Sequence, residues 1–153
     1  MKKLALLILI FGVMGVVPAH EADCPYCAEK IVQNTDKQDN EVVVKVGNKR
    51  IEYRCLYCVI KDQKRYKGDL VVYAPSEKVG NPVVIKRTGG KWAGPEKMVV
   101  LNVFKKHSEC AALSRAFSTR EALDAYVKQN NVQNSKALSL KEFIELVEKP
   151  VQK

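Results

Sequence analysis

Five cysteines carry the chemistry open to this sequence: Cys24, Cys27, Cys55, Cys58 and Cys110. Four of them form two pairs, Cys24-Pro-Tyr-Cys27 and Cys55-Leu-Tyr-Cys58, separated by 27 residues. A spacing of two lets both sulfurs of a pair reach one ion, because the intervening backbone turns back on itself and its N–H groups soften the sulfur charge. Such pairs can ligate a soft metal as thiolates, close as disulfides within or across pairs, or cycle as a redox couple. A redox pair should open a helix after a buried strand in a βαβ unit, and neither pair has that context in the sequence. Covalent haem attachment needs His directly after the second cysteine, and Ala28 and Val59 stand there.

The odd cysteine is Cys110, in His107-Ser-Glu-Cys110. A cysteine near a histidine fits a soft-metal ligand set, or a nucleophile with its base, and an exposed thiol outside the cell is hazardous unless used. His107 follows Lys105-Lys106, where a solvated imidazole is the plain alternative. Met98 and Trp92 could flank Cu(I), but Met98 begins an apolar strand and reads better as core. The glycines at 89–90 and 94 have turn spacing and no phosphate-loop spacing, and no Ser/His/Asp set or clustered carboxylate pair stands out.

The N-terminus bears on which of these chemistries applies. Met1-Lys2-Lys3, an apolar run from Leu4 to Val17 and the small-residue site at Pro18-Ala19 form a signal peptide over residues 1–19. The alternative is an uncleaved signal that anchors the chain. The run falls short of the roughly 20 residues of a transmembrane helix, and no later segment qualifies, so no membrane span is expected after cleavage. The protein is therefore expected to be exported, into the periplasm. Cleavage removes two lysines and lowers the formal charge from +9 to +7. That charge is dispersed without interleaved aromatics, and an exported protein has little occasion to meet nucleic acid, so no nucleic-acid partner is expected.

The elements around the cysteines follow from periodicity and turns. Glu41–Val46 and Lys49–Arg54 flank Gly47-Asn48 as a hairpin. The second pair follows at once and leads into a short helix over Val59–Arg65, stopped at Gly68, and then a strand at Leu70–Tyr73. The order recurs: Pro82–Arg87 and Met98–Phe104 predict a second pair of strands. A capping box at Ser118-Thr-Arg-Glu121 starts a helix, a short strand lies near Ala137-Leu138, and another box at Ser139-Leu-Lys-Glu142 starts a last helix ending at Pro150. The expected class is α+β, treble-clef-like, with two ββαβ units at 20–78 and 79–150 and a C-terminal helix. A knuckle, a hairpin and a helix start bearing the second pair is the order of a treble-clef metal site.

The opening Cys24-Pro25-Tyr26-Cys27 after an export signal, and the helix start at Phe117-Ser118-Thr-Arg-Glu121, resemble the nitrous-oxide-reductase accessory proteins, the NosL family. That resemblance implies an exported copper-binding protein of two ββαβ units, a fold shared with organomercurial lyase. It also implies copper held by sulfur, from the opening cysteines and from a methionine whose place here falls at or near Cys110. The chain departs from the family in Ala28-Glu29 after the opening motif, in lacking a lipid-anchor cysteine, and in its added Cys55-x-x-Cys58. That second pair resembles those of small treble-clef metal-trafficking modules.

Together these readings predict a non-enzymatic accessory protein or metallochaperone that binds Cu(I) and passes it to a recipient metalloenzyme. The candidate ligands are Cys24, Cys27, Cys55, Cys58, Cys110 and His107. The alternatives are four cysteines holding Zn²⁺ in a structural interaction module, and a thiol–disulfide oxidoreductase or C–Hg lyase-like enzyme using Cys110.

Overall fold

The computed structural model describes residues 21–32, 41–104 and 112–149. Its strands are β1 (Glu21–Asp23), β2 (Lys30–Val32), β3 (Val42–Val46), β4 (Lys49–Tyr53), β5 (Leu70–Ala74), β6 (Val83–Thr88), β7 (Lys91–Ala93), β8 (Val99–Phe104), β9 (Ala112–Phe117) and β10 (Ser135–Leu138). Its helices are α1 (Leu56–Asp62), α2 (Arg120–Gln129) and α3 (Leu140–Glu148), and a 3-10 turn at Gln63–Arg65 extends α1. The class is α+β with three antiparallel sheets: β1-β2, β10-β8-β9 and β4-β3-β5-β6-β7. Among the described residues no helix is long and apolar enough to cross a membrane.

Two ββαβ sequences run through the chain, β3-β4-α1-β5 and β8-β9-α2-β10, followed by α3. The second differs from expectation in its strands. Pro82–Arg87 does not pair with Met98–Phe104. Instead β6 adds to the first sheet beside β5, with Val72 opposite Ile85, while β8 pairs with β9 and β10. The alternation of β6 is satisfied beside either partner, and β8 is buried at three successive residues, Val100 to Asn102. Partner choice was decided by β9, whose Ala-Leu-Ser-Arg-Ala-Phe run has little β-branched character to announce a strand.

Helix α1 begins at Leu56, immediately after Cys55, rather than at Val59. Every residue from Leu56 to Ile60 is buried. A helix apolar on all sides must be surrounded, and α1 contacts β9, α3 and β4. Val42 and Val44 of β3, Leu70 and Val72 of β5, and Ile85 of β6 join the same core. The three-stranded sheet turns its other face to α2, where Leu101, Phe117 and Leu123 make a second cluster.

The cap of α2 is also displaced by one residue. Thr119, not Ser118, accepts from the backbone N–H of Ala122. Ser118 instead gives its hydroxyl and its backbone N–H to Glu77, on the segment after β5. The box at Ser139 and Glu142 forms as read, with both reciprocal bonds present.

Arg87 of β6 holds the chain that follows α1. Its guanidinium donates to the carbonyls of Gln63 (2.8 Å), Tyr66 (2.8 Å) and Gly68 (2.7 Å), and lies over the Trp92 ring. Tyr53 of β4 donates to Asp62 at the end of α1 (2.7 Å). The helix is thus tied at its C-terminal end to both flanks of the five-stranded sheet. Hydrogen bonds to a charged donor contribute about 1.5–3 kcal/mol each, and burying their acceptors unmet costs more. Arg87→Leu is therefore expected to lower stability by about 3 kcal/mol or more in urea unfolding. A loss below about 0.5 kcal/mol would show that the clamp does not hold α1 in place.

Candidate metal centre

Each cysteine pair is placed by a different local device. Between β1 and β2 the chain turns on Cys24-Pro-Tyr-Cys27. The N–H of Ala28 bonds the Cys24 carbonyl (2.9 Å), and the N–H of Cys24 bonds the Glu29 carbonyl (2.9 Å). Ala28 takes a left-handed φ of 56° to close this knuckle. The second pair stands at the start of α1: Cys55 is the residue before its first turn, and Cys58 lies within that turn.

Four contacts hold the two loops together. Tyr26 and Tyr57, the residues before the second cysteine of each pair, meet edge to face with ring centroids 6.5 Å apart. Such a pair contributes about 0.5–1.5 kcal/mol beyond its buried area. Arg65 donates to the Pro25 carbonyl (3.3 Å), and Arg54 pairs with Glu29 (3.6 Å). The backbone N–H of Arg54, at the end of the hairpin, donates to the Cys24 sulfur (3.5 Å). The hairpin between the pairs thus supplies a hydrogen bond directly to the site.

The four sulfurs converge in the interior. Cys24, Cys27, Cys55 and Cys58 are all buried, and none of them forms a disulfide. The sulfurs of Cys24, Cys27 and Cys58 lie within 4.8 Å of one another. Cys58 Sγ is 3.7 Å from Cys27 Sγ and 3.7 Å from Cys55 Sγ. Cys55 Sγ also donates to the Ala112 carbonyl at 3.8 Å, at the start of β9. Metal–sulfur bonds of about 2.3 Å put ligand sulfurs about 3.8 Å apart in a tetrahedron and about 4.0 Å apart in a plane triangle. The spacing of these sulfurs fits a thiolate-bound ion, so the cluster can hold a metal.

Protonation in the cluster is uneven. The neighbouring Cys58 thiol favours the Cys24 thiolate, burial opposes that, and the Arg54 N–H adds to it; the result is a Cys24 pKa lowered from 9.0 to about 5. Burial pushes the Cys27 thiol up, and the charge on Cys24 works in the same direction. One sulfur is therefore an anion at neutral pH without any metal, already in the form that ligates.

His107 and Cys110 lie outside the described residues. Met98 is in the core, close enough to Gly94 that a Cβ there would collide with its sulfur, and Leu140 packs beside it. Three contributors to the cysteine site escaped sequence reasoning: the Arg54 N–H, the Ala112 carbonyl and the paired tyrosines. Only the last left a signal, in the repeated Cys-x-Tyr-Cys.

The crystal structure of the mercury-bound form of MerB2 superposes on this chain with a TM-score of 0.54 at 13% identity, over 69% of this chain. The fold resembles that of MerB2. The match covers 55% of the MerB2 chain, so this protein spans little more than half of MerB2's length. At that identity the likeness to MerB2 is one of fold. No protein-family model matches the sequence, and no curated protein matches it.

The asymmetry of the thiols gives a direct test. With a pKa of about 5, below the ordinary 9.0, Cys24 is ionised at pH 7 and takes up its proton as pH falls through about 5. Reduced, metal-free protein should show thiolate ultraviolet absorbance that is lost in that range, and Cys58→Ala should shift the loss to higher pH. Absorbance appearing only in the ordinary thiol range would contradict the arrangement.

Proposed function

We propose that this protein is an exported metal-binding accessory factor whose cargo is a soft monovalent ion, Cu(I), held by cysteine thiolates and passed to a recipient metalloenzyme. The observation that carries the reading is the buried group of Cys24, Cys27 and Cys58, three sulfurs within 4.8 Å with no disulfide between them. Soft thiolates select Cu(I), and low coordination numbers favour its transfer. A structural ion would instead be expected in a closed four-ligand cage.

Three further features support the reading. Residues 1–19 have the pattern of an export signal, which would place the protein in the periplasm. The opening Cys-Pro-x-Cys and the Phe117-Ser118 helix start resemble the copper-binding NosL proteins. MerB2, of similar fold, has been solved in a mercury-bound form, and mercury is likewise a thiol-seeking ion. In this reading Cys110, with His107, contributes a ligand during transfer, as the placement of the NosL methionine suggests.

One observation favours a second reading. The 3.7 Å separation of Cys55 and Cys58 matches a tetrahedral edge, as in a four-cysteine structural Zn²⁺ site of an interaction module.

The readings separate on metal content. Protein purified anaerobically and offered Cu(I) should bind one ion, and Cys24→Ser should weaken that binding by about 100-fold or more. Cys110→Ser should leave the stoichiometry intact and slow release to an acceptor. Tightly held zinc that Cu(I) does not displace would establish the structural reading, and metal-free protein with two disulfides would exclude both.

A further inference from the structure

Cys55 differs from the other three buried cysteines in what its sulfur faces. It stands 3.7 Å from Cys58 Sγ but outside the group of three sulfurs that lie within 4.8 Å of one another. Its own S–H is directed at the Ala112 carbonyl. Cys58, by contrast, borders each of the others: Cys24 within 4.8 Å, Cys27, to which its S–H is directed, at 3.7 Å, and Cys55 at 3.7 Å.

The geometry points to a three-sulfur resting site of Cys24, Cys27 and Cys58, with Cys55 as a reserve thiol, held on the Ala112 carbonyl, that exchanges with Cys24 or Cys27 at the ion and so frees one of those outer sulfurs when the ion is passed on. This inference rests on the metal-cargo reading and adds to it a coordination number and a division of labour. Cys58 is the pivot, a ligand both before and after exchange. In the exchange a metal–sulfur bond to Cys55 forms as the bond to Cys24 or Cys27 breaks, and the Cys55 proton passes to the sulfur released. The ion keeps three sulfurs throughout, and neither total charge nor oxidation state changes.

Two features of the fold fit this role. A three-coordinate ion leaves a direction from which a further sulfur can approach, whereas a closed tetrahedron does not. The bond from Cys55 to Ala112 reaches across 57 residues of sequence, from the start of α1 to the start of β9. Moving Cys55 onto the ion breaks that bond. Exchange at the metal is therefore coupled to the contact between the cysteine loops and the three-stranded sheet.

The inference also predicts which ions the site prefers. Ions content with three thiolates meet their ligands without disturbing Cys55, whereas Zn²⁺ completes its tetrahedron only by drawing Cys55 from Ala112. Trigonal thiophilic ions are favoured over tetrahedral ones by the cost of that bond.

The test uses Cu(I) itself and a coloured Cu(I) chelator as acceptor, on the full protein and two variants. X-ray absorption of the Cu(I)-loaded wild type needs no variant and should show three sulfur neighbours. Cys55→Ser retains a donor for the Ala112 carbonyl. It should keep the equilibrium Cu(I) affinity within about threefold while slowing transfer to the chelator on the order of tenfold. Cys58→Ser should lower the affinity itself by about 100-fold or more. Four sulfurs around copper, or equal affinity losses in the two variants, would overturn the assignment of Cys55 and leave the cargo reading standing. A wild type that binds no Cu(I) would overturn both.

Discussion

An ionised sulfur in an apolar interior has to be met by donors, because burying a charge without them costs several kcal/mol. At Cys24 the backbone N–H of Arg54 donates directly, and the thiol of Cys58 lies within 4.8 Å. Neither comes from the knuckle alone. Arg54 closes the β3-β4 hairpin and Cys58 lies in the first turn of α1, so the site exists only when knuckle, hairpin and helix are assembled. The helix in turn is apolar on every side and needs β4, β9 and α3 around it. Both ββαβ sequences are thereby required for one sulfur to hold its charge.

A bound ion would strengthen this dependence. Metal ligation replaces shared protons with a positive charge, which lets further thiols ionise without repelling one another, and binding free energy becomes folding free energy. The four buried cysteines stand in two Cys-x-Tyr-Cys loops whose tyrosines meet edge to face. The clamp of Arg87 on the chain after α1 keeps the second loop in register with the sheet.

Much of this was legible in the sequence, for reasons that can be named. The hairpin at 42–53 was clear from β-branched alternation around Gly47, and the box at Ser139–Glu142 from its reciprocal chemistry. The cysteine spacing announced a knuckle and a helix start, because local turns need only local residues. What stayed hidden was non-local. Nothing in Ala112–Phe117 says that it pairs with β8 rather than leaving β6 to do so, and its small buried residues Ala112, Ser114 and Ala116 leave room for α1 to approach. The cap at Thr119 was missed because Ser118 was taken by Glu77, 41 residues away. The Ala112 carbonyl could not be read at all, since every residue has one and only the fold aims it.

Residue-resolved thiol labelling tests most directly whether a metal ion is held by Cys24, Cys27 and Cys58. Protein kept under reducing, anaerobic conditions would be alkylated with and without one equivalent of Cu(I), and the labelled cysteines located by mass spectrometry. Protection by the ion of Cys24, Cys27 and Cys58 together, in protein that remains folded, is the predicted result. Labelling of these three that is indifferent to the ion, or sulfurs already joined in disulfides, would contradict it.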